Sequence, residues 1–295
     1  MAALTISSEE EKRLKGQGFL NNKGTDNFSA RVLSVNGKVT VRQLRRIADA
    51  AERFGNGTVT FTTRLTTEIP GIPYEKIPEF QAYIGEEGLE TGGTGPKVRP
   101  VVSCKGTTCH FGLLDSFAVS EEIHRRFYAG YHDVVLPHKF KIAVGGCPNN
   151  CVKPDLNDVG IIGQRIPQYE QEKCKGCKKC AIEAVCPVKA AAKGEDGTMH
   201  IDTERCLHCG RCVGKCHFDA IPDGTFGYKV YIGGRWGKKC AQGRALGRIF
   251  TSAEEVYEVV EKAILLFKEQ GEKGERFAET IQRIGFEEVE RRLLG

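Results

Sequence analysis

Cys174-Lys-Gly-Cys177-Lys-Lys-Cys180-Ala-Ile-Glu-Ala-Val-Cys186-Pro187, followed by Cys206-Leu-His-Cys209-Gly-Arg-Cys212-Val-Gly-Lys-Cys216, is the stretch on which the reading of this chain turns. Three thiolates close together on one loop reach three irons of a 4Fe-4S cubane. The fourth ligand has to arrive from elsewhere, because so short a loop cannot encircle the cluster. Two such runs solve the problem by exchange: Cys174, Cys177, Cys180 and Cys216 hold one cluster, and Cys206, Cys209, Cys212 and Cys186 hold the other. Five residues separate Cys180 from Cys186 where three are usual, and His217 stands where a proline often follows. A pair of zinc ribbons would use the Cys-x2-Cys spacings but would leave the third and fourth cysteines of each run without a role.

Working outward, four more of the thirteen cysteines form two separated pairs, Cys104-x4-Cys109 and Cys147-Pro-Asn-Asn-Cys151. Each follows an apolar run that reads as a strand, so the fold has to bring two loops together for one further cubane. Only Cys240 is left over, and it is expected to be an inert buried thiol. No apolar run approaches the roughly 20 residues that span a bilayer, and the start lacks a basic-then-apolar leader, so a cytoplasmic protein is expected. In that compartment thiols stay reduced, which favours metal ligation over a disulfide framework. The formal charge of +5 on 295 residues is mild and scattered, which argues against nucleic acid as a partner.

The rest alternates between strand and helix periods. Phe28 to Val35 reads as extended, and Val41, Leu44, Ile47, Ala51 and Phe54 share a helical face that Gly55 ends. A strand around Phe61, a helix over Ile77, Phe80 and Ile84, and a flexible Gly92-Gly93-Thr94-Gly95 connector follow. Val98–Ser103, Phe140–Val144, Val159–Ile162 and Tyr228–Ile232 read as strands, and Leu113–Tyr128 and Glu254–Phe267 as helices. The Glu- and Arg-rich end is expected to be a helix with a solvated charged face. Three units result. Residues 1–96 form an α+β unit, residues 97–167 and 223–295 a larger α+β domain, and residues 168–222 an inserted two-cluster ferredoxin domain.

Arg99-x-Val-Val-Ser-Cys104, Gly146-Cys147-Pro-Asn-Asn-Cys151 and Asp158-Val-Gly-Ile-Ile-Gly163, in that order, resemble the sirohaem and iron–sulfur region of sulfite and nitrite reductases. The likeness is greatest to the C subunit of anaerobic sulfite reductases, which also carries a two-cluster ferredoxin insert followed by a strand ending like Tyr231-Ile-Gly233-Gly234-Arg235. It spans roughly residues 28–246. It implies that residues 1–96 are a ferredoxin-like half-domain. It also implies a single α+β reductase repeat that binds sirohaem, with Cys151 bridging the haem iron to the cubane and Cys104, Cys109 and Cys147 ligating the cluster alone. The first pair departs from the family by one residue, since four separate Cys104 from Cys109 where five are usual. The resemblance further implies that Arg99, Lys139 and Lys141, with Arg31 on the first strand, hold the sulfite oxyanion and feed protons. Thr62, Thr63 and Arg64 would contact the macrocycle's carboxylates as a strand, and Asn149 would lie against it. His110 and His138 are expected to be polar neighbours or core residues.

The function expected from this resemblance is reduction of sulfite to sulfide by six electrons, entering through the insert from a ferredoxin or a partner subunit. No nucleotide fingerprint is present, so the donor has to be external. Because larger relatives carry two repeats and this chain carries one, two copies are expected to pair, cysteines of one meeting cations of the other. Nitrite reduction on the same cofactor, an electron carrier lacking sirohaem and a redox-sensing regulator are the alternatives.

Overall fold

The computed structural model describes residues 6–295. A first antiparallel sheet has the order β1 (Phe19–Asn21), β2 (Asn27–Val32), β4 (Thr67–Pro73), β3 (Thr60–Phe61). β2 buries Phe28, Ala30 and Val32 toward one face, and Ser29 between them is buried as well. Helix α2 (Val41–Phe54) covers that face, begun by a reciprocal Thr40–Gln43 capping box. Its buried stripe is Ile47, Ala50, Ala51 and Phe54. Val41 and Leu44, expected on the same stripe, are exposed, because burial starts one turn into the helix. Helix α3 (Ile77–Gly85) sets Phe80 edge-on to Phe54 with ring centroids 5.8 Å apart. A short helix α1 (Ser8–Gly16) and strand β1 complete this layer, neither anticipated from the sequence.

The second sheet has the order β11 (Arg244–Phe250), β10 (Gly224–Ile232), β7 (Val159–Pro167), β6 (Ile142–Gly145), β5 (Val102–Ser103). β5, β6 and β7 run parallel, and β10 and β11 close the sheet antiparallel. β5 is far shorter than the run from Val98 suggested; its upstream half makes only an isolated bridge, Val98 to Phe140. The helix expected from Leu113 begins at Ser116, where Asp115 caps α4 (Ser116–Ile123), and continues as a π-turn over His124–Ala129.

Helix α6 (Ala253–Gln270) is fixed by a Ser252–Glu255 capping box and buries Val256, Val259, Val260, Ala263, Ile264 and Phe267 at helical spacing. The charged end does not lie outside as one solvated helix. It forms α7 (Phe277–Ile284) and α8 (Phe286–Leu294), whose Phe277, Phe286, Val289 and Leu293 enter the main core. Phe140, Phe267 and Phe277 meet with ring centroids 5.3–5.7 Å apart. Each such ring taken from water contributes about 1.5–3 kcal/mol. Among the described residues no helix is long and apolar enough to cross a membrane.

The cysteine-rich segment grows from the tip of the β7–β10 pair, where Pro167 faces Gly224. It holds a short helix α5 (Ala181–Val185) and a hairpin of β8 (Ala191–Lys193) and β9 (Met199–Ile201). Its fully buried apolar cluster is Ile182, Ala191, Met199 and Ile221, with five cysteines, Tyr169, Ile201 and Val213 packed against it half-buried. So small a core does not hold about fifty residues together unaided.

Candidate iron–sulfur and anion-binding site

β5 and β6 end side by side, and each delivers a cysteine loop. The Cys104 amide donates to the Val144 carbonyl, and the Gly146 amide donates to Cys104 Sγ at 3.1 Å. The two loops touch at Gly106 and Gly146: a Cβ on Gly146 would lie 2.7 Å from the Gly106 Cα, so only glycine allows the approach. Cys104, Cys109, Cys147 and Cys151 thereby come to one place. Burial pushes the Cys147 thiol above its usual value, and the neighbouring thiols of Cys104, Cys109 and Cys151 push the same way. All thirteen cysteines are free, and Cys151 is exposed. Cys240, expected to be buried, is also exposed, on the loop between β10 and β11.

The insert sorts its eight cysteines into two hollows. One is lined by Cys174, Cys177, Cys180 and Cys216, the other by Cys186, Cys206, Cys209 and Cys212. Main-chain amides point at the sulfurs: Met199 N donates to Cys174, Ala191 N to Cys186 and His208 N to Cys206, each at 3.4 Å. Burial pushes the Cys212 thiol up to about 11, with Cys206, Cys209 and Cys186 adding to it. Such thiols become ligands when iron takes the proton's place. Among the described residues no three His, Cys, Asp or Glu side chains close on a point that would hold a single ion. A cubane asks for something different, since its four thiolates bind four separate corners. The all-sulfur donor sets and the amides aimed at them fit that group.

A groove runs between the insert and the β5/β6 loops. Cys147, Asn149, His110 and Phe111 lie on one side, and Cys209, Gly210 and Arg211 on the other. The insert is held here by the Arg165 amide donating to the His208 carbonyl at 2.7 Å. Gly210, at φ +65°, sits against the Arg165 side chain, where a Cβ would lie 2.8 Å from it. Asn149 is exposed on this rim.

The cations gather elsewhere. Asp158, fully buried, accepts the Lys141 main-chain amide at 2.8 Å and the Arg276 guanidinium at 2.7 Å. Burial lowers the Lys141 pKa to about 8; Arg64, Arg276 and Lys139 deepen the shift and Asp158 opposes it. Lys139 is shifted down by burial, then by Arg276 and Arg99. Burial also takes Arg99 to about 10, helped by Arg31. Arg276 has no partner for its Nε, and Asp158 none for Oδ1. Lys139 and Lys141 are half-buried and flank the fully buried Phe140, as alternation along an extended chain requires.

Three expected contacts differ in form. Thr62, Thr63 and Arg64 lie in the tight turn between β3 and β4, closed by the Thr62 amide on the Thr66 carbonyl, and not in a strand. Arg64 donates to the Pro100 and Ile142 carbonyls and to Asn157 Oδ1, which occupies four of its five N–H groups. Burial lowers its pKa to about 9. Arg31 is paired across the strands with Glu68 at 2.7 Å. Thr62 bonds to Thr66 at 2.7 Å, and Thr63 is exposed. Asp158 and Arg276 were not among the expected site residues. Asp158 opens the Asp158-Val-Gly-Ile-Ile-Gly163 run, whereas Arg276 sits in a charged tail with no local pattern to mark it.

Within one chain the cations and the four-cysteine site do not meet. Arg99 and Lys141 precede β5 and β6; Cys104 and Cys147 follow them. The six-residue step from Lys141 to Cys147 spans about 20 Å of extended chain.

Residues 94–294 match the family described as the nitrite and sulphite reductase 4Fe-4S domain. The chain belongs to that family. Residues 21–87 match the nitrite/sulfite reductase ferredoxin-like half domain. The chain is 34% identical over 248 residues to the coenzyme F420-dependent sulfite reductase of Methanocaldococcus jannaschii, covering 83% of this chain and 38% of that one. It is 30% identical over 147 residues to the C subunit of the anaerobic sulfite reductase of Salmonella typhimurium, covering 45% and 42%. It thus spans less than half the length of both these relatives. Among solved structures, dissimilatory sulfite reductase I superposes with a TM-score of 0.72 at 22% identity over 90% of this chain and 69% of that one, a likeness of fold.

Proposed function

We propose that this chain is a sulfite reductase subunit built from one reductase repeat, with a two-cluster ferredoxin domain inserted over residues 168–222. Residues 1–96 are the half-domain, and residues 97–167 and 223–295 the sirohaem and 4Fe-4S domain. The observation that carries the reading is the sorting of twelve cysteines into three four-cysteine sites, one of them on the two loops at the ends of β5 and β6. Family membership and relatives named as sulfite reductases support it.

A sirohaem held through Cys151 would supply electron delivery to a bound oxyanion. The chain's own residues do the rest. Arg99, Lys139 and Lys141 bind and orient sulfite, and charge-assisted hydrogen bonds of this kind contribute about 1.5–3 kcal/mol each. Lys141, with its pKa near neutrality, is suited to give up a proton and regain it. Asp158 fixes the Lys141 backbone, and Arg276 pairs with Asp158, opposing the upward push that burial gives its carboxyl. Arg64 latches the β3–β4 turn onto the starts of β5 and β6. Electrons enter through the insert and cross the groove between Cys209 and Cys147.

Because the cations and Cys151 stand at opposite ends of the strands, a complete site takes cations from a second copy. The protein, purified anaerobically from cells that make sirohaem, tests the reading. An isobacteriochlorin near one per chain and sulfide production with reduced methyl viologen are expected. Iron–sulfur absorption alone in well-loaded protein would replace this reading with an electron carrier. A higher kcat/KM for nitrite than for sulfite would reassign the substrate.

A further inference from the structure

The two cysteine sites of the insert are not equivalent. The Cys186/Cys206/Cys209/Cys212 site shares Cys209 with the groove that Cys147 also lines. The Cys174/Cys177/Cys180/Cys216 site is walled only by residues 174–220, so nothing from the reductase repeat borders it. Electron transfer weakens steeply with distance, so the first site is the inner station and the second the outer one.

The outer site has a distinctive rim. Lys175, Lys179 and Lys193 line it without a carboxylate among them, and Lys178 lies exposed between Cys177 and Cys180. Among the described residues none of these four lysines forms an ion pair. Two nearby carboxylates are engaged elsewhere: Glu170 with Lys173 at 2.6 Å, and Asp196 with His200 at 3.0 Å. Glu172, Glu195 and Asp219 are also exposed, and among the described residues none of the three forms an ion pair; the four lysines outnumber them. Phe218, 43% exposed, adds an apolar contact beside Cys216. A cationic rim around an aromatic residue, set over the outer station, suits a protein whose own surface is acidic.

We infer that the face formed by Lys175, Lys178, Lys179, Lys193 and Phe218 is the docking surface for an acidic one-electron carrier protein. This rests on the electron-transfer reading of the insert. Each docking event oxidises the carrier by one electron and reduces the outer cluster by one. Six events, with six protons from water, convert one hydrogen sulfite into one hydrosulfide and three waters.

The test uses the iron-loaded full chain and a reduced acidic 4Fe-4S ferredoxin as probe. Binding is followed by titration calorimetry at rising salt, and turnover is compared with methyl viologen, a small cation that needs no protein dock. The expected result is ferredoxin affinity that falls as salt rises, because exposed charges are screened. Lys175→Glu/Lys178→Glu/Lys179→Glu, with its iron content checked, is expected to lose about 10-fold or more in affinity and in ferredoxin-driven kcat/KM. Lys193→Glu, outside the cysteine loop, should lose part of this, and Lys238→Glu on the distant β10–β11 loop should lose none. Ferredoxin binding that ignores salt and all the insert substitutions, or no binding at low salt, overturns the inference. Salt-sensitive binding that fails in the insert variants, from a chain that reduces no sulfite with either donor, upholds the dock and overturns the reductase reading.

Discussion

Lys141 and Cys147 stand at the two ends of one strand, β6, with Phe140 and the main core between the cation and the helices behind it. The same separation recurs on β5 between Arg99 and Cys104. A parallel pair of strands therefore carries the cations at its entrance and the four-cysteine loops at its exit, so under the proposed function a single copy holds two half-sites.

Complementation reads this out. Lys139→Ala/Lys141→Ala and Cys151→Ser should each be inactive alone. Co-expressed in equal amounts, half the dimers are mixed and each mixed dimer keeps one whole site of two, so about a quarter of wild-type activity should return. A monomeric active holoprotein in sedimentation, or no recovery on mixing, would sink the shared site.

The pH dependence follows from Lys141, whose ammonium is disfavoured by burial and by Arg64, Arg276 and Lys139, with Asp158 opposing. Its folded pKa of about 8 lies below the ordinary lysine value, so above about pH 8 the folded chain loses this cation first. KM for sulfite should rise through that region, and Lys141→Arg should move the rise to higher pH. Stability runs the other way: between the two pKa values the unfolded chain binds more protons, so this group's contribution grows more favourable as pH rises. A KM that stays flat from about pH 7 to about pH 9.5 would remove Lys141 from anion binding.

Asp158→Ala leaves Arg276 nearly buried without its partner. Breaking such a pair from one side costs about 3–5 kcal/mol, and the urea midpoint of the loaded protein should fall accordingly. Asp158→Ala combined with Arg276→Leu should be milder than the single change, because no lone charge is left inside. Equal losses in both variants would show that the pair adds nothing beyond its packing.

Cluster exchange in the insert is separable by single substitutions. Cys216→Ser should abolish the signal of the cluster bound with Cys174 while sparing its neighbour, and Cys186→Ser the reverse, each lowering iron by about four per chain. Redox-titrated electron paramagnetic resonance distinguishes the two. Loss of the same signal in both variants would contradict the exchanged ligation.

Spacing made the grouping of the cysteines legible, because each set lies on closely spaced loops whose short reach fixes which thiols can meet. Helices α2, α3 and α6 were equally legible from their apolar periods, and the capping boxes at Thr40 and Ser252 sharpen them. What escaped was decided over long range. Val98–Ser103 has strand composition, but only its last residues form a ladder, Val98 making a lone bridge to Phe140. Thr62–Arg64 looks extended, yet Leu65 at φ 62° closes a turn there. β11 mixes arginines and a glycine with its apolar residues and gives no clean alternation. Arg276 resembles every other arginine in its charged neighbourhood until Phe277 enters the core and draws it down to Asp158.

That last attachment imposes a timetable. Asp158 and Arg276 are 118 residues apart, and chains fold from the N-terminus as they are made. While the later segment is still on the ribosome, the carboxylate beneath Lys141 has no guanidinium to settle against. The cation end of the sheet therefore sets last, after every cysteine has been synthesised. Under the proposed function, the cysteine sites are complete before the cations are, and an anion site would wait for the C-terminal helices.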